Sequence, residues 1–88
     1  MYDKETMLHN LGCVIARRRT AMHCSQMQLA QNASVHRSYV SDVERGIRNI
    51  TLATLESIAN ALNTNSAVLL AEAYEWKSDV SAEGSGQA

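Results

Sequence analysis

The segment at residues 25–46, SQMQLAQNASVHRSYVSDVERG, constrains the fold of this chain more than any other. Ser25 is a preferred helix N-cap, and Gln28 three residues later completes a capping box, so a helix begins here. The run Asn32–Ser34 favours a turn, and a second helix follows it. Gly46 follows the end of that helix, at the position where a left-handed conformation is common and glycine is preferred. Two short helices joined by a tight turn are the layout of a helix-turn-helix.

The second helix of this segment begins at His36. In both helices apolar residues recur three or four positions apart, which predicts one buried face on each helix. The positions predicted to face inward are Met27, Leu29, Ala30, Tyr39, Val40 and Val43.

Three further helices are predicted to support this pair. The first covers residues 6–21, the fourth is capped by Thr51, and the fifth begins at Asn65 or Ser66 and ends near Trp76. No segment has the alternation of a strand, so the predicted class is an all-α, compact five-helix domain. The core-facing positions predicted for the first and fourth helices are Leu8, Leu11, Ile15, Met22, Leu52, Leu55, Ile58, Ala59 and Leu62.

The fifth predicted helix has apolar residues on two faces, and an 88-residue chain needs only one of them to close its core. The other face is surplus and indicates a partner surface. We expect residues 1–76 to form one domain, and the small, polar residues 77–88 to form a flexible tail. The two stripes are Leu69/Ala73/Trp76 and Ala67/Leu70/Tyr74.

The charge of the chain is unevenly distributed. The net charge is −1, but all six arginines lie between Arg17 and Arg48, where only two acidic residues accompany them. The rest of the chain carries two lysines against seven acids. A local basic surface around the helix-turn-helix is what phosphate binding requires, and the whole-chain charge conceals it.

Arg19 lies four residues after Ile15, on the apolar stripe of the first helix. A charge in that position needs a partner. Glu44, near the end of the third helix, is the predicted one, and we assign the pair a structural role.

Several classes of protein are excluded on motif grounds. His9, Cys13, His23 and Cys24 form no paired metal-binding motif, so we expect no metal, and we predict that both cysteines pack as small apolar residues. No glycine-rich phosphate loop or nucleophile elbow is present, so we expect neither a cofactor nor an enzyme. No apolar run approaches the roughly 20 residues of a membrane span. The N-terminus lacks the pattern of a signal peptide, so we expect an unprocessed cytoplasmic, nucleoid-associated protein.

The fragments of this pattern, taken together, resemble the Cro/repressor-type helix-turn-helix family, also called the xenobiotic-response-element family. The resemblance runs from about residue 11 to residue 70 and implies a lambda-repressor-like fold. His23 stands where that family usually has glycine, which implies a positive φ there. The fragments that carry the resemblance are Leu11-Gly12, Ser25-Gln26, Leu29-Ala30, Tyr39–Gly46, Arg48-Asn49 and Leu55–Leu62. Within the family, Arg37-Ser38-Tyr39, Glu44-Arg45 and Arg48–Thr51 are similar to the controller proteins of restriction-modification systems.

The resemblance implies that the second helix of the motif enters the major groove of double-stranded DNA. The Arg37 guanidinium can donate to both O6 and N7 of guanine, and the alternative is a contact to a phosphate. Asp42 either accepts from a cytosine amine or restrains Arg37 or Arg45. Tyr39 contacts a phosphate or a thymine methyl, or is a partly buried ring. The implied base-reading residues are His36, Arg37, Ser38 and Asp42, and the implied phosphate contacts are Gln26, Tyr39, Ser41, Arg45, Arg48 and Asn49.

A single small domain contacts few base pairs, so we expect a homodimer on a palindromic operator. No ligand-sensing domain is evident, so we expect no small-molecule effector and an autoregulatory regulator, either repressor or activator. The alternative is an antitoxin-type protein-interaction module, whose fifth helix and acidic tail bind a partner and whose DNA binding is secondary. A C-terminal helix that folds only with a partner would favour this alternative. The predicted dimer interface is Leu69, Leu70, Ala73 and Tyr74.

Overall fold

The computed structural model describes residues 3–77, and within that range it contains five helices and no strand. The predicted all-α, five-helix class is therefore confirmed. The helices are α1 (Lys4–Ala21), α2 (Gln26–Ala33), α3 (Arg37–Glu44), α4 (Leu52–Ala61) and α5 (Ser66–Glu75).

One hydrophobic core joins the five helices. α1 packs against α3 and α5, α2 packs against α3 and α4, and α4 also contacts α5. Ile15, Leu29, Ile58 and Leu69 are completely buried. Each burial is worth about 1.5–3 kcal/mol relative to an exposed side chain. The other buried apolar residues are Leu11, Val14, Ala30, Ala33, Val40, Val43, Leu55, Ala59, Leu62 and Ala73.

Side-chain caps fix where the helices begin. The capping box predicted for α2 is confirmed, since the Gln28 N–H donates to Ser25 Oγ over 3.0 Å and Gln28 Oε1 accepts from the Ser25 N–H over 2.8 Å. Thr51 caps α4, and Asn65 caps α5. α1 begins at Lys4 rather than at residue 6, because the Asp3 carboxylate accepts from the Thr6 N–H over 2.8 Å.

The turn of the helix-turn-helix begins later than predicted. Asn32 and Ala33 belong to α2, and the break comes at Ser34, whose φ of 61° is left-handed. The Val35 N–H then donates to the Ala30 carbonyl over 2.9 Å, which closes the end of α2. His23 also has a positive φ, of 56°, as the resemblance implied.

Three methionine and leucine positions were predicted wrongly as core. Met22, Met27 and Leu52 are 41%, 50% and 67% exposed. Met22 follows the last turn of α1 as its C-cap, and Leu52 is the first residue of α4, so both lie at helix ends. Met27 is displaced from the buried face of α2, which Leu29 and Ala30 occupy together with Ala33.

α5 closes the core with the stripe that contains Leu69 and Ala73. Both side chains are completely buried within the domain, so their assignment to a dimer interface is wrong. Leu70 is half-buried and Tyr74 is exposed, and these two remain candidates. The predicted tail lies, except for Lys77, outside the described residues.

Polar contacts also attach α5 to α1. The buried Asn10 side chain donates to the Ala73 carbonyl over 3.0 Å. Arg18 Nε donates to Glu72 Oε1, also over 3.0 Å, as part of a two-pronged ion pair. The Arg17 guanidinium lies 4.6 Å from the centroid of the Trp76 ring. α5 is thus a docked part of the domain.

Candidate nucleic-acid interface

α3 is held against the domain by its apolar face and by a largely buried ion pair. Val40 and Val43 pack into the core. Arg19 donates to Glu44 through two nitrogens, with Nε 2.6 Å from Oε2 and Nη2 3.0 Å from Oε1. The predicted pair is therefore confirmed, and the hydrogen bonds that Arg19 donates to the Glu44 carboxylate raise the pKa of Arg19. Arg19 Nη1 also donates to the Cys24 carbonyl over 2.9 Å, which ties the α1–α2 loop to the same site.

The same carboxylate connects α2 to α3. Gln26 Nε2 donates to Glu44 Oε1 over 2.9 Å. Gln26 was predicted as a phosphate contact, and the structure places its amide on Glu44. An amide nitrogen carries two hydrogens, so this bond leaves one of them for another acceptor. Glu44 thus fixes the angle between the two helices of the motif.

Gly12 and Gly46 allow the backbones of α1 and α3 to approach closely. A Cβ on Gly12 would lie 2.5 Å from the Val43 carbonyl oxygen and 2.6 Å from that of Glu44. Gly46 has φ +75°, as the sequence predicted, and a Cβ there would lie 2.8 Å from the His9 Cα. Side chains at either position would push α3 away from α1.

The first turn of α3 faces solvent. Arg37 and Ser38 are exposed, and His36 is an exposed N-cap whose side chain makes no capping bond. Ser41 and Asp42 follow at i+4 from Arg37 and Ser38, so the four lie on one face of the helix. The guanidinium of Arg37 has no hydrogen bond or ion pair with any residue between 3 and 77.

The end of α3 carries a second group of candidate residues. Asp42 Oδ1 lies 4.0 Å from Arg45 Nη2, and Asp42 Oδ2 lies 3.9 Å from Arg48 Nη1. The Arg48 guanidinium stacks on the Tyr39 ring, 4.5 Å from its centroid. The turn at Gly46 folds the chain back, so that Arg48 reaches α3. The link from Asp42 to Arg45 was among the predicted alternatives, whereas the contacts of Arg48 were not predicted.

Tyr39 is half-buried against the core, which fits the partly buried ring among its predicted roles. Ser41 is half-buried, and Asn49 is exposed in the loop after Gly46. The structure therefore brings Tyr39, Asp42, Arg45 and Arg48 together in one cluster. Gln26 stands apart from that cluster, on Glu44.

Other kinds of site find little support in the part of the chain that the structure describes. No group of three or more His, Cys, Asp or Glu side chains there could hold a metal ion. Cys13 Sγ lies 3.6 Å from His9 Nε2 on α1. None of the five helices is long and apolar enough to cross a membrane.

A short helix, a left-handed turn and a second helix with an exposed first turn define a helix-turn-helix protein. Residues 15–69 match the family model described as Helix-turn-helix (HTH_3), and the chain belongs to that family. The predicted resemblance is thereby confirmed.

Individual relatives include restriction-modification control proteins. Over 52 residues, the chain is 48% identical to the control protein C.SmaI of Serratia marcescens, covering 59% of this chain and 62% of that protein. It is 42% identical over 53 residues to the control protein C.BamHI of Bacillus amyloliquefaciens, covering 60% of this chain and 65% of that one. The chain thus spans less than two thirds of either relative.

A solved structure of a controller protein has a similar fold. The restriction-modification controller protein C.AhdI of Aeromonas hydrophila superposes with a TM-score of 0.69 at 39% identity. The match covers 70% of this chain and 94% of that one.

Proposed function

We propose that this protein is a sequence-specific DNA-binding transcription regulator that places α3 in the major groove. The observation that carries the proposal is the contrast between the two ends of α3. The C-terminal end is fixed by Glu44 to Arg19 and Gln26, while Arg37 and Ser38 in the first turn face solvent. A rigid helix with an open N-terminal turn suits contact with base edges.

Residues on either side of that turn supply the phosphate contacts. Arg45, Arg48 and Asn49 are exposed beyond α3, and Gln26 lies at the start of α2. Contacts of this kind fix the register of a protein on DNA, whereas contacts to base edges give sequence preference. His36, Arg37 and Ser38 are therefore assigned to base contacts, with Ser41 and Tyr39 beside the phosphates.

The proposal includes a homodimer on a palindromic operator. Residues 1–76 would supply both the DNA-binding surface and the dimer surface, the latter through α4 and the exposed stripe of α5 with Leu70 and Tyr74. Because two of its relatives are named control proteins and a third is a restriction-modification controller protein, we assign the chain a controller-like, autoregulatory role. On this proposal it acts on DNA in the cytoplasm and catalyses no reaction.

The direct test is binding to the DNA upstream of the protein's own coding sequence. Footprinting with purified protein should reveal a discrete protected site with two half-sites about 34 Å apart, one turn of DNA. A scrambled duplex of the same length is the control. Equal affinity for the two duplexes at every salt concentration would contradict sequence-specific binding.

A further inference from the structure

Asp42 is, we propose, a positioning residue that holds Arg45 and Arg48 back from the phosphates of non-operator DNA. Its carboxylate would thereby set the ratio of operator affinity to non-specific affinity. This inference rests on the proposed DNA-binding function and goes further, because it assigns Asp42 a role in rejecting the wrong DNA.

The geometry that suggests this role is the use of both carboxylate oxygens. Oδ1 faces Arg45 at 4.0 Å, and Oδ2 faces Arg48 at 3.9 Å. The Tyr39 ring packs on Arg48, whose guanidinium lies 4.5 Å from the ring centroid. Arg48 is thus directed toward α3 by an aromatic face and an acid together.

The exposure of the three side chains makes these contacts exchangeable. Arg45 and Arg48 are 64% and 49% exposed, while Asp42 is 32% exposed. Ion pairs of this kind are weak in water, so a DNA phosphate can replace the carboxylate. The replacement still has a cost, because both guanidiniums must leave an existing partner.

This cost falls differently on the two kinds of DNA. Non-specific binding depends almost wholly on cation–phosphate attraction, so the carboxylate opposes it directly. On the operator, base contacts from the first turn of α3 hold the helix in one register. In that register each guanidinium, which has five N–H donors, keeps one on the carboxylate and gives another to a phosphate, so the pairs are not lost. A repulsive element that weakens the wrong complex more than the right one raises specificity.

The same geometry argues against Asp42 as a base-reading residue. To accept from a cytosine amine, the carboxylate would have to turn one oxygen away from an arginine and approach the groove between two phosphate chains. We therefore assign its charge to the arginines and leave base contact to His36, Arg37 and Ser38.

The test compares Asp42→Asn with wild type on two duplexes, the footprinted operator and a scrambled duplex of equal length. Binding is measured between about 50 and 200 mM salt. We expect non-specific affinity to rise about three- to tenfold, with a salt slope steeper by about 1, and operator affinity to change less than about threefold. The specificity ratio should fall accordingly.

Two further variants show whether Asp42 acts through the arginines. Glu75→Gln removes the same charge at the end of α5, and it should change non-specific affinity by less than about twofold, because Arg45 and Arg48 form their ion pairs with Asp42 and not with Glu75. Adding Asp42→Asn to an Arg45→Ala/Arg48→Ala background should also change it by less than about twofold, since the groups it restrains are gone.

Three results would overturn the inference. The first is a loss of operator affinity in Asp42→Asn with unchanged non-specific affinity, which would make Asp42 a base-reading residue. The second is no change on either duplex, and the third is an equal effect of Glu75→Gln, which would reflect net charge alone. Failure of the proposed function itself looks different, since wild type would then bind both duplexes alike. Unfolding curves of Asp42→Asn should match those of wild type.

Discussion

Arg19 of α1 and Glu44 of α3 form a bidentate ion pair, with Nε 2.6 Å from Oε2 and Nη2 3.0 Å from Oε1. The side chains are only 15% and 7% exposed, so water replaces little of the contact if it is broken. Because Glu44 also accepts from Gln26, the pair fixes α3 to both α1 and α2. The orientation of the DNA-facing helix therefore depends on residues that need not touch DNA.

The first prediction concerns the stability that this pair supplies. Arg19→Ala or Glu44→Ala should lower the free energy of unfolding by about 3–5 kcal/mol, because each leaves a largely buried charge without its partner. Urea denaturation measures the loss. Arg17→Ala, which removes a half-exposed pair with Glu72 on the other side of α1, should cost no more than about 1 kcal/mol. A loss of unfolding free energy in Arg17→Ala as large as that in Arg19→Ala or Glu44→Ala would contradict the structural role of the Arg19–Glu44 pair.

The second prediction concerns the close approach of α1 to α3. Gly12→Ala should destabilise the fold by about 1–3 kcal/mol, because the new Cβ would lie 2.5 Å from the Val43 carbonyl oxygen. In an unobstructed helix the same change would stabilise by about 0.5–1 kcal/mol. Thermal unfolding measures the change, and the account predicts that the Tm falls. A rise in Tm would show that α1 and α3 can move apart without cost.

The third prediction concerns acid sensitivity. Hydrogen bonds from Arg18 lower the pKa of Glu72, so the folded state gains stability from the ionised carboxylate above the pKa of the unfolded chain, about 4.3. That gain is lost as the pH falls through the lower folded-state pKa. Glu72→Gln should be less stable than wild type near neutral pH, by up to about 1 kcal/mol, and the difference should shrink in acid. Urea unfolding at a series of pH values measures it, and a difference independent of pH would argue against the pair.

The fourth prediction concerns the dimer. Tyr74→Glu should raise the monomer–dimer dissociation constant at least about tenfold, a loss of about 1.4 kcal/mol, because Tyr74 lies on the exposed stripe of α5. Sedimentation velocity over a range of protein concentrations measures it. Met27→Glu places the same charge on an exposed apolar residue of α2 and should leave the constant unchanged. A dimer that tolerates Tyr74→Glu would place the interface elsewhere.

Sequence patterns predicted the parts of this structure that depend on local chemistry. The capping box of Ser25 and Gln28, the left-handed Gly46 and the Arg19–Glu44 pair all follow from residue type and helical spacing. Residues at helix ends were harder, because Leu52 keeps the spacing of a core residue and is nevertheless exposed.

Apart from the Arg19–Glu44 pair, contacts between distant elements were not predicted. Asn10 meets the Ala73 carbonyl only because α5 docks on α1, and the spacing within either helix does not indicate this. The stacking of Arg48 on Tyr39 likewise depends on the path of the loop after Gly46. Base-reading and phosphate contacts stay predictions until DNA binding is measured.

The most direct test of the central claim, that α3 reads DNA sequence, is the binding of Arg37→Ala to the footprinted operator and to a scrambled duplex over a range of salt. The account predicts that operator affinity falls by about 1–3 kcal/mol for each recognition helix, while non-specific affinity and the salt slope stay close to those of wild type. Arg17→Ala, an equal charge change on the α5 side of α1, should leave both affinities intact. Equal losses on both duplexes, with a salt slope shallower by about 1, would contradict the account, because Arg37 would then contact only phosphate.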